Sequence, residues 1–222
     1  MMQHQSHGQD SEWRPKVQVP PGQYGPAYDD WDKWVSYYWQ TRQIVDRSLR
    51  DVLEVGIGSS VVSEYLRRNG VNLTTIDIDL ALGPDCVASV TDLPFRSDAF
   101  DAVLCAEVLE HMPFEHSRRA IREIHRVTRR FAFITLPRCV LSFAFLVRVP
   151  VIQLREFVFR IPYPKRPRPT GEHYWESGLW GYPLSRIRRE FATAGFRVLS
   201  EQRPPTNYSH WFFVLAKPDV AR

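Results

Sequence analysis

Glu54, Gly56, Gly58 and Asp77 are the residues whose types and spacing first suggest chemistry. The two glycines stand in Val52-Leu53-Glu54-Val55-Gly56-Ile57-Gly58-Ser59-Ser60, where an apolar strand gives way to a helix. A ligand can approach the backbone closely there because no Cβ intervenes. Asp77 follows Gly56 by twenty-one residues, at the end of a second apolar run, where a carboxylate can accept hydrogen bonds from both ribose hydroxyls of an adenosine. Glu54 discriminates between ligands. Beside a pyrophosphate its charge is repulsive, whereas beside an amino acid carrying a sulfonium it is favourable. Val61 occupies the place where a dinucleotide fingerprint wants a third Gly or Ala, which also argues against NAD.

The elements that must position these residues are legible from periodicity. Trp31 to Leu49 reads as a leading helix with an aromatic face (Trp31, Trp34, Val35, Tyr38, Trp39), Val52–Val55 as a strand, Val61–Asn69 as a helix stopped by Gly70, and Val71–Ile76 as a strand. Short apolar runs near Val87–Val90, at Phe100–Ala106 and at Phe131–Leu136 read as further strands, and Glu115–Val127 as a helix with Ala120, Ile121, Ile124 and Val127 on one face. After an irregular stretch from Arg138 to Tyr182, a helix carries Leu184, Ile187, Phe191 and Ala194, and Phe196–Leu199 and Trp211–Leu215 form a terminal hairpin at the sheet edge. The expected fold is α/β: a Rossmann-like, doubly wound, mostly parallel seven-stranded sheet with helices on both faces and an antiparallel edge strand. Residues 1–28, broken by Pro15, Pro20, Pro21 and Pro26, read as a flexible arm, and 29–222 as one domain with an apolar, basic insertion at about 138–182.

In order, Glu54 to Gly58, Thr75-Ile76-Asp77-Ile78-Asp79, Thr91-Asp92-Leu93-Pro94-Phe95 with Phe100-Asp101-Ala102-Val103, and Glu107-Val108-Leu109-Glu110-His111 resemble the type-11 group of class I methyltransferases, which use S-adenosyl-L-methionine. The resemblance covers Asp51 to about Pro137. It implies that Gly56 and Gly58 pass the methionine part of the donor with Glu54 near its ammonium, that Asp77 holds the ribose, and that Ser89 and Val90 meet the adenine with Ile78 over one face. Glu107 belongs to the same implied donor set. Two positions depart from the pattern: Ser60 stands where a third glycine is common, and Ser89 where an acid commonly binds the adenine amine. A hydroxyl can still accept that hydrogen bond, and Asp92 is an alternative acceptor.

Methyl transfer from a sulfonium is an in-line displacement that depends on alignment, so no catalytic triad is required. His111 and His173 are the candidate bases, with Tyr38, His173, Tyr174 and Trp175 as candidate acceptor contacts. The Asp/Asn-Pro-Pro-Tyr signature used on amide and base nitrogens is absent, since Ala106-Glu107-Val108 stands in its place. Cys86, Cys105 and Cys139 lack metal or disulfide spacing and no HExxH occurs, so no metal is expected. No secretory or import signal opens the sequence, and the protein is expected in the cytoplasm. A net charge of +4 on 222 residues does not by itself argue for nucleic acid. Arg138 to Arg168 holds seven basic residues against Glu156 alone, interleaved with apolar and aromatic side chains. That composition suits either a cap over the acceptor pocket or a peripheral membrane contact through residues 139–168. A small or lipid-like acceptor is expected; a non-catalytic donor-binding or membrane-interaction module on the same fold is the other reading.

Overall fold

A computed structural model describes residues 13–139, 141–149, 152–161, 172–204 and 206–218. Strands β1 (Asp51–Val55), β2 (Asn72–Asp77), β3 (Cys86–Val87), β4 (Phe100–Ala106), β5 (Thr128–Pro137), β8 (Arg197–Gln202) and β9 (His210–Ala216) form one sheet in the order β3-β2-β1-β4-β5-β9-β8. The first five run parallel, and β9 is antiparallel to both β5 and β8. The terminal hairpin thus sits at the sheet edge, with its last strand inserted against β5. Helices α1 (Trp31–Val45), α2 (Val61–Arg68), α3 (Phe114–Val127) and α4 (Leu184–Thr193) cover the sheet.

Strand alternation divides the core between the two faces. Leu53, Val55, Val103, Cys105 and Ile134 pack with Ile121 and Ile124 of α3 and Ile187 and Phe191 of α4. Val52, Leu104, Phe133, Phe212 and Val214 pack with Trp39 and Ile44 of α1 and Val62 and Leu66 of α2. The aromatic face expected of α1 is split by this packing. Trp39 is buried edge-on against Phe133, whereas Trp31, Trp34 and Tyr38 are exposed. Asp30 caps α1, its side chain accepting from the Lys33 N–H, and so fixes where the helix begins.

The stretch expected to be irregular after β5 contains a second sheet. β6 (Leu141–Val149) and β7 (Ile152–Ile161) pair antiparallel in a two-stranded ribbon. Its β-branched and aromatic content suits strands, but the runs carry no regular polar alternation from which strands could be read. Residues 140, 150, 151 and 162–171 of the basic insertion lie outside the described residues, as do residues 1–12 of the arm. No described helix is long and apolar enough to cross a membrane.

The strand order reverses between β1 and β4, both neighbours of which leave in opposite directions. A crevice forms outside the carboxyl ends of parallel strands at such a point. Val55, Asp77 and Ala106, the last residues of β1, β2 and β4, end beside it.

Candidate active site

One pocket occupies that crevice, lined on the sheet side by Glu54 to Ser59, Asp77 to Asp79, Ala88 to Val90 and Ala106 to Val108. Each sequence-derived donor residue, Glu54, Gly56, Gly58, Asp77, Ile78, Ser89, Val90 and Glu107, is in this lining. The loop after β1 requires its glycines. Gly56 has φ +77°, and a Cβ there would come 2.6 Å from a Val108 methyl; Gly58 has φ +47° and faces the Tyr24 ring. Ser60, at the position of the missing third glycine, is itself left-handed with φ +62°. The chain keeps that conformation without the residue best suited to it.

Asp77 is held in place by two backbone donors. The Ile57 N–H donates to Oδ2 at 3.1 Å and the Asp79 N–H to Oδ1 at 2.9 Å. Each carboxylate oxygen keeps a lone pair for a ligand hydroxyl. Glu54 is only 4% exposed and accepts from the Ser63 hydroxyl at 2.6 Å; burial pushes its carboxyl up to about 7. The Ser89 hydroxyl lies 2.8 Å from that of Thr91, within the turn after β3. Asp92, the alternative acceptor, is exposed and outside the lining, because its backbone N–H closes the same turn and points the side chain outward.

Glu107 closes β4 with φ +55°, an uncommon conformation for a non-glycine residue. Its carboxylate pairs with Lys33 of α1 and lies 3.4 Å from His210 Nε2. Burial opposes its ionisation, but hydrogen bonding and charge from His210 and then Lys33 hold it down at about 2. Lys33 is raised in turn: burial opposes its charge and Glu107 more than offsets this. The anion and cation are therefore fixed features of the pocket. Sequence reasoning found neither Lys33 nor His210. Lys33, Tyr37 and Gln40 recur at helical spacing, a signal that the stronger aromatic stripe masked; His210 left no signal.

The expected acceptor contacts are rearranged. Tyr38 is 69% exposed and outside the lining; its neighbour Tyr37 faces the pocket, donating to Asp29 at 2.7 Å and lying 2.9 Å from Ser59 Oγ. Trp175 is 1% exposed, its Nε1–H donating to Ser117 Oγ at 2.9 Å and to the Leu109 carbonyl at 3.2 Å. It is an anchor in the core, and Tyr174 packs against the same core. The stretch expected to be a loose arm instead lies along the pocket from Trp13 onward: Trp13, Pro15 to Val19, Tyr24 and Tyr28 line it. Tyr24 and Tyr28 stack edge-on, and burial raises the phenol pKa of both, Tyr24 to about 12, so both keep their protons.

A family model described as a methyltransferase domain matches residues 53–134, which include the end of β1, the glycine loop, Asp77, Glu107 and α3. Residues 53–134 thus carry a methyltransferase domain, in the fold that S-adenosylmethionine-dependent methyltransferases share. Solved structures share this methyltransferase's fold at low identity. A 1,6-didemethyltoxoflavin-N1-methyltransferase from Burkholderia thailandensis superposes with TM-score 0.60 at 14% identity, covering 88% of this chain and 84% of that one. Magnesium protoporphyrin IX methyltransferase from Synechocystis PCC 6803 gives 0.57 at 15%, covering 91% and 90%. A methyltransferase from Clostridium acetobutylicum gives 0.55 at 11%, covering 88% and 98%. No curated protein matches the sequence.

Of the two candidate bases in this methyltransferase, His111 lines the pocket and His173 does not. The rings nonetheless meet edge-on with centroids 4.9 Å apart. Burial lowers the His111 pKa, which keeps the imidazole neutral near pH 7. Beside them is Glu110, fully buried, whose carboxyl burial pushes up to about 8.

Proposed function

We propose that the methyltransferase acts on a small, largely apolar organic acceptor held against the donor beneath the segment from Trp13 to Tyr28. The observation that carries this reading is the continuity of the pocket. Its sheet side is the loop and strand-end lining around Asp77, and its other side is formed by Trp13, Val17, Val19, Tyr24, Tyr28 and Met112. A covered, aromatic chamber suits a molecule of modest size. Two of the similar structures are methyltransferases of small organic acceptors by name, 1,6-didemethyltoxoflavin and magnesium protoporphyrin IX.

In this reading Asp77 accepts from the ribose hydroxyls of the donor, Glu54 faces its ammonium, and Ile78, Ser89 and Val90 surround its adenine. The glycine loop admits the methionine portion. Bound S-adenosylmethionine supplies a methyl group on a sulfonium, and the residues supply alignment and the exclusion of water. Glu107, fixed by Lys33 and His210, sets the field at the end of β4.

A lipid-like acceptor is the second reading. Phe143 and Phe145 are both exposed and, two residues apart on β6, share one face of the basic ribbon. The purified protein should be incubated with S-adenosylmethionine and either a panel of soluble aromatic compounds or anionic vesicles, with S-adenosylhomocysteine release as the readout. Release with soluble compounds alone supports the covered-chamber reading. Release that needs vesicles, together with co-sedimentation at low salt, replaces it with the lipid reading. Donor binding without turnover on either arm leaves a binding module.

A further inference from the structure

The geometry points to a binding site for a divalent transition-metal ion of the Zn2+ class, formed by Glu110, His111 and His173. One donor atom from each of the three lies within 4.8 Å of the others. An ion held at tetrahedral geometry by nitrogen and oxygen ligands separates them by roughly 3.4 Å, so closure requires a movement of just over about 1 Å. His173, on the segment between β7 and α4, has 30% of its side chain exposed and can make that movement.

Both imidazoles have Nδ1 engaged by acceptors, which leaves Nε2 for a ligand. His111 Nδ1 lies 2.9 Å from the Glu172 carbonyl oxygen and 2.9 Å from Gln18 Oε1, while the Gln18 amide N–H donates to the His111 carbonyl. Both partners of Nδ1 are acceptors, so Nδ1 carries the proton and Nε2 keeps its lone pair. His173 Nδ1 lies 2.8 Å from Glu176 Oε1, which imposes the same tautomer. An imidazole whose far nitrogen is held by a carboxylate or carbonyl is the usual supporting arrangement of a metal-ligating histidine.

Glu110 supplies the independent observation. It is 0% exposed, and neither carboxylate oxygen has a hydrogen-bond partner. A buried acid with both oxygens unmatched is costly unless something else neutralises it. The backbone holds Glu110 close to His173, since the Tyr174 N–H donates to the Glu110 carbonyl at 2.9 Å and Trp175 anchors the following turn on Leu109 and Ser117. Two imidazoles and one carboxylate suit zinc, iron or cobalt better than magnesium or calcium, which favour oxygen donors. Three protein ligands leave coordination open. Because His111 lines the pocket, an ion here borders the chamber assigned above to the acceptor; the ion's role in turnover rests on that assignment, but the site itself does not.

The test uses the full chain, stripped by a chelator and titrated with Co2+ and Zn2+. The parent should take up one Co2+ per chain with a visible absorption band that Zn2+ bleaches, and either ion should raise its melting temperature. Glu110→Gln and His173→Ala should lose the band. Glu176→Gln, which keeps all three ligands, should weaken binding about 10- to 100-fold, and His116→Gln, outside the cluster, should bind as the parent does. Absence of any cobalt band from the folded parent at millimolar Co2+ overturns the proposal, as does full-strength binding by folded Glu110→Gln and His173→Ala. These readouts do not involve methyl transfer, so they stand or fall separately from the proposed function.

Discussion

The backbone N–H of Ile57 donates to the Asp77 carboxylate at 3.1 Å, tying the glycine loop after β1 to the end of β2. The two sequence signals separated by a whole helix and strand are thus one physical unit. Asp77 orders the loop through one oxygen and the Asp79 turn through the other, while keeping lone pairs directed at the same pocket. Replacing it by Ala should remove hydrogen bonds to a charged acceptor, each worth about 1.5–3 kcal/mol, and weaken S-adenosylmethionine binding by well over tenfold. Calorimetric titration with S-adenosylhomocysteine reads this directly; parent-like affinity would remove Asp77 from the donor site.

Gly56→Ala should destabilise the loop. With φ +77° and a Val108 methyl 2.6 Å from the new Cβ, the substitution carries about 1–2 kcal/mol of backbone strain as well as a steric clash. A lower melting temperature with weakened donor binding is expected. Pairing it with Val108→Ala should relieve the clash but not the strain, so partial recovery of stability is the expected result of the double variant.

The Glu54 carboxyl gives a pH signature. Its folded-state pKa is raised from 4.5 to about 7 by burial, so the folded protein binds the proton more tightly than the unfolded chain. The contribution of Glu54 to stability is accordingly most favourable below pH 4.5, declines as pH rises through about 7, and is level beyond that. Glu54→Gln should abolish this decline. Denaturant midpoints of parent and variant across this range provide the check: their difference should change with pH, and a constant difference would contradict the raised pKa.

Tyr37→Phe tests how residues upstream of α1 are held over the pocket. The hydroxyl donates to Asp29 and meets Ser59, linking that segment, α1 and the glycine loop. Its loss should cost about 1–2 kcal/mol and raise the KM for the donor more than it lowers kcat. Limited proteolysis should then cut the segment before α1 faster than in the parent.

Phe213→Ala addresses the core alone. Phe213 is fully buried on β9 and packs edge-on against Phe191 of α4, so truncation should cost about 3–5 kcal/mol. Urea unfolding would show this as a lower midpoint.

The chain by itself determined the main sheet and the glycine-loop side of the pocket. Strand alternation and helix periodicity are local properties, and Gly56, Gly58 and Asp77 announce themselves because a tight turn between strand and helix and an acid at the next strand end recur at fixed spacing. The β6–β7 ribbon was not legible, because its two runs carry no regular polar alternation and pair only with each other. Lys33 and His210 meet Glu107 from 74 and 103 residues away, and nothing local marks such pairs. Tyr38 and Trp175 have the composition of ligand contacts, yet packing turned one to solvent and the other into the core. The Pro-rich stretch before α1 has no periodicity to read, and only its contacts place Trp13 to Tyr28 along the pocket. The grouping of Glu110, His111 and His173 likewise depends on a backbone hydrogen bond between Tyr174 and Glu110. What spacing encodes can be read from the chain; what long-range packing brings together, including which face of a side chain meets the pocket, is decided only when the tertiary structure forms.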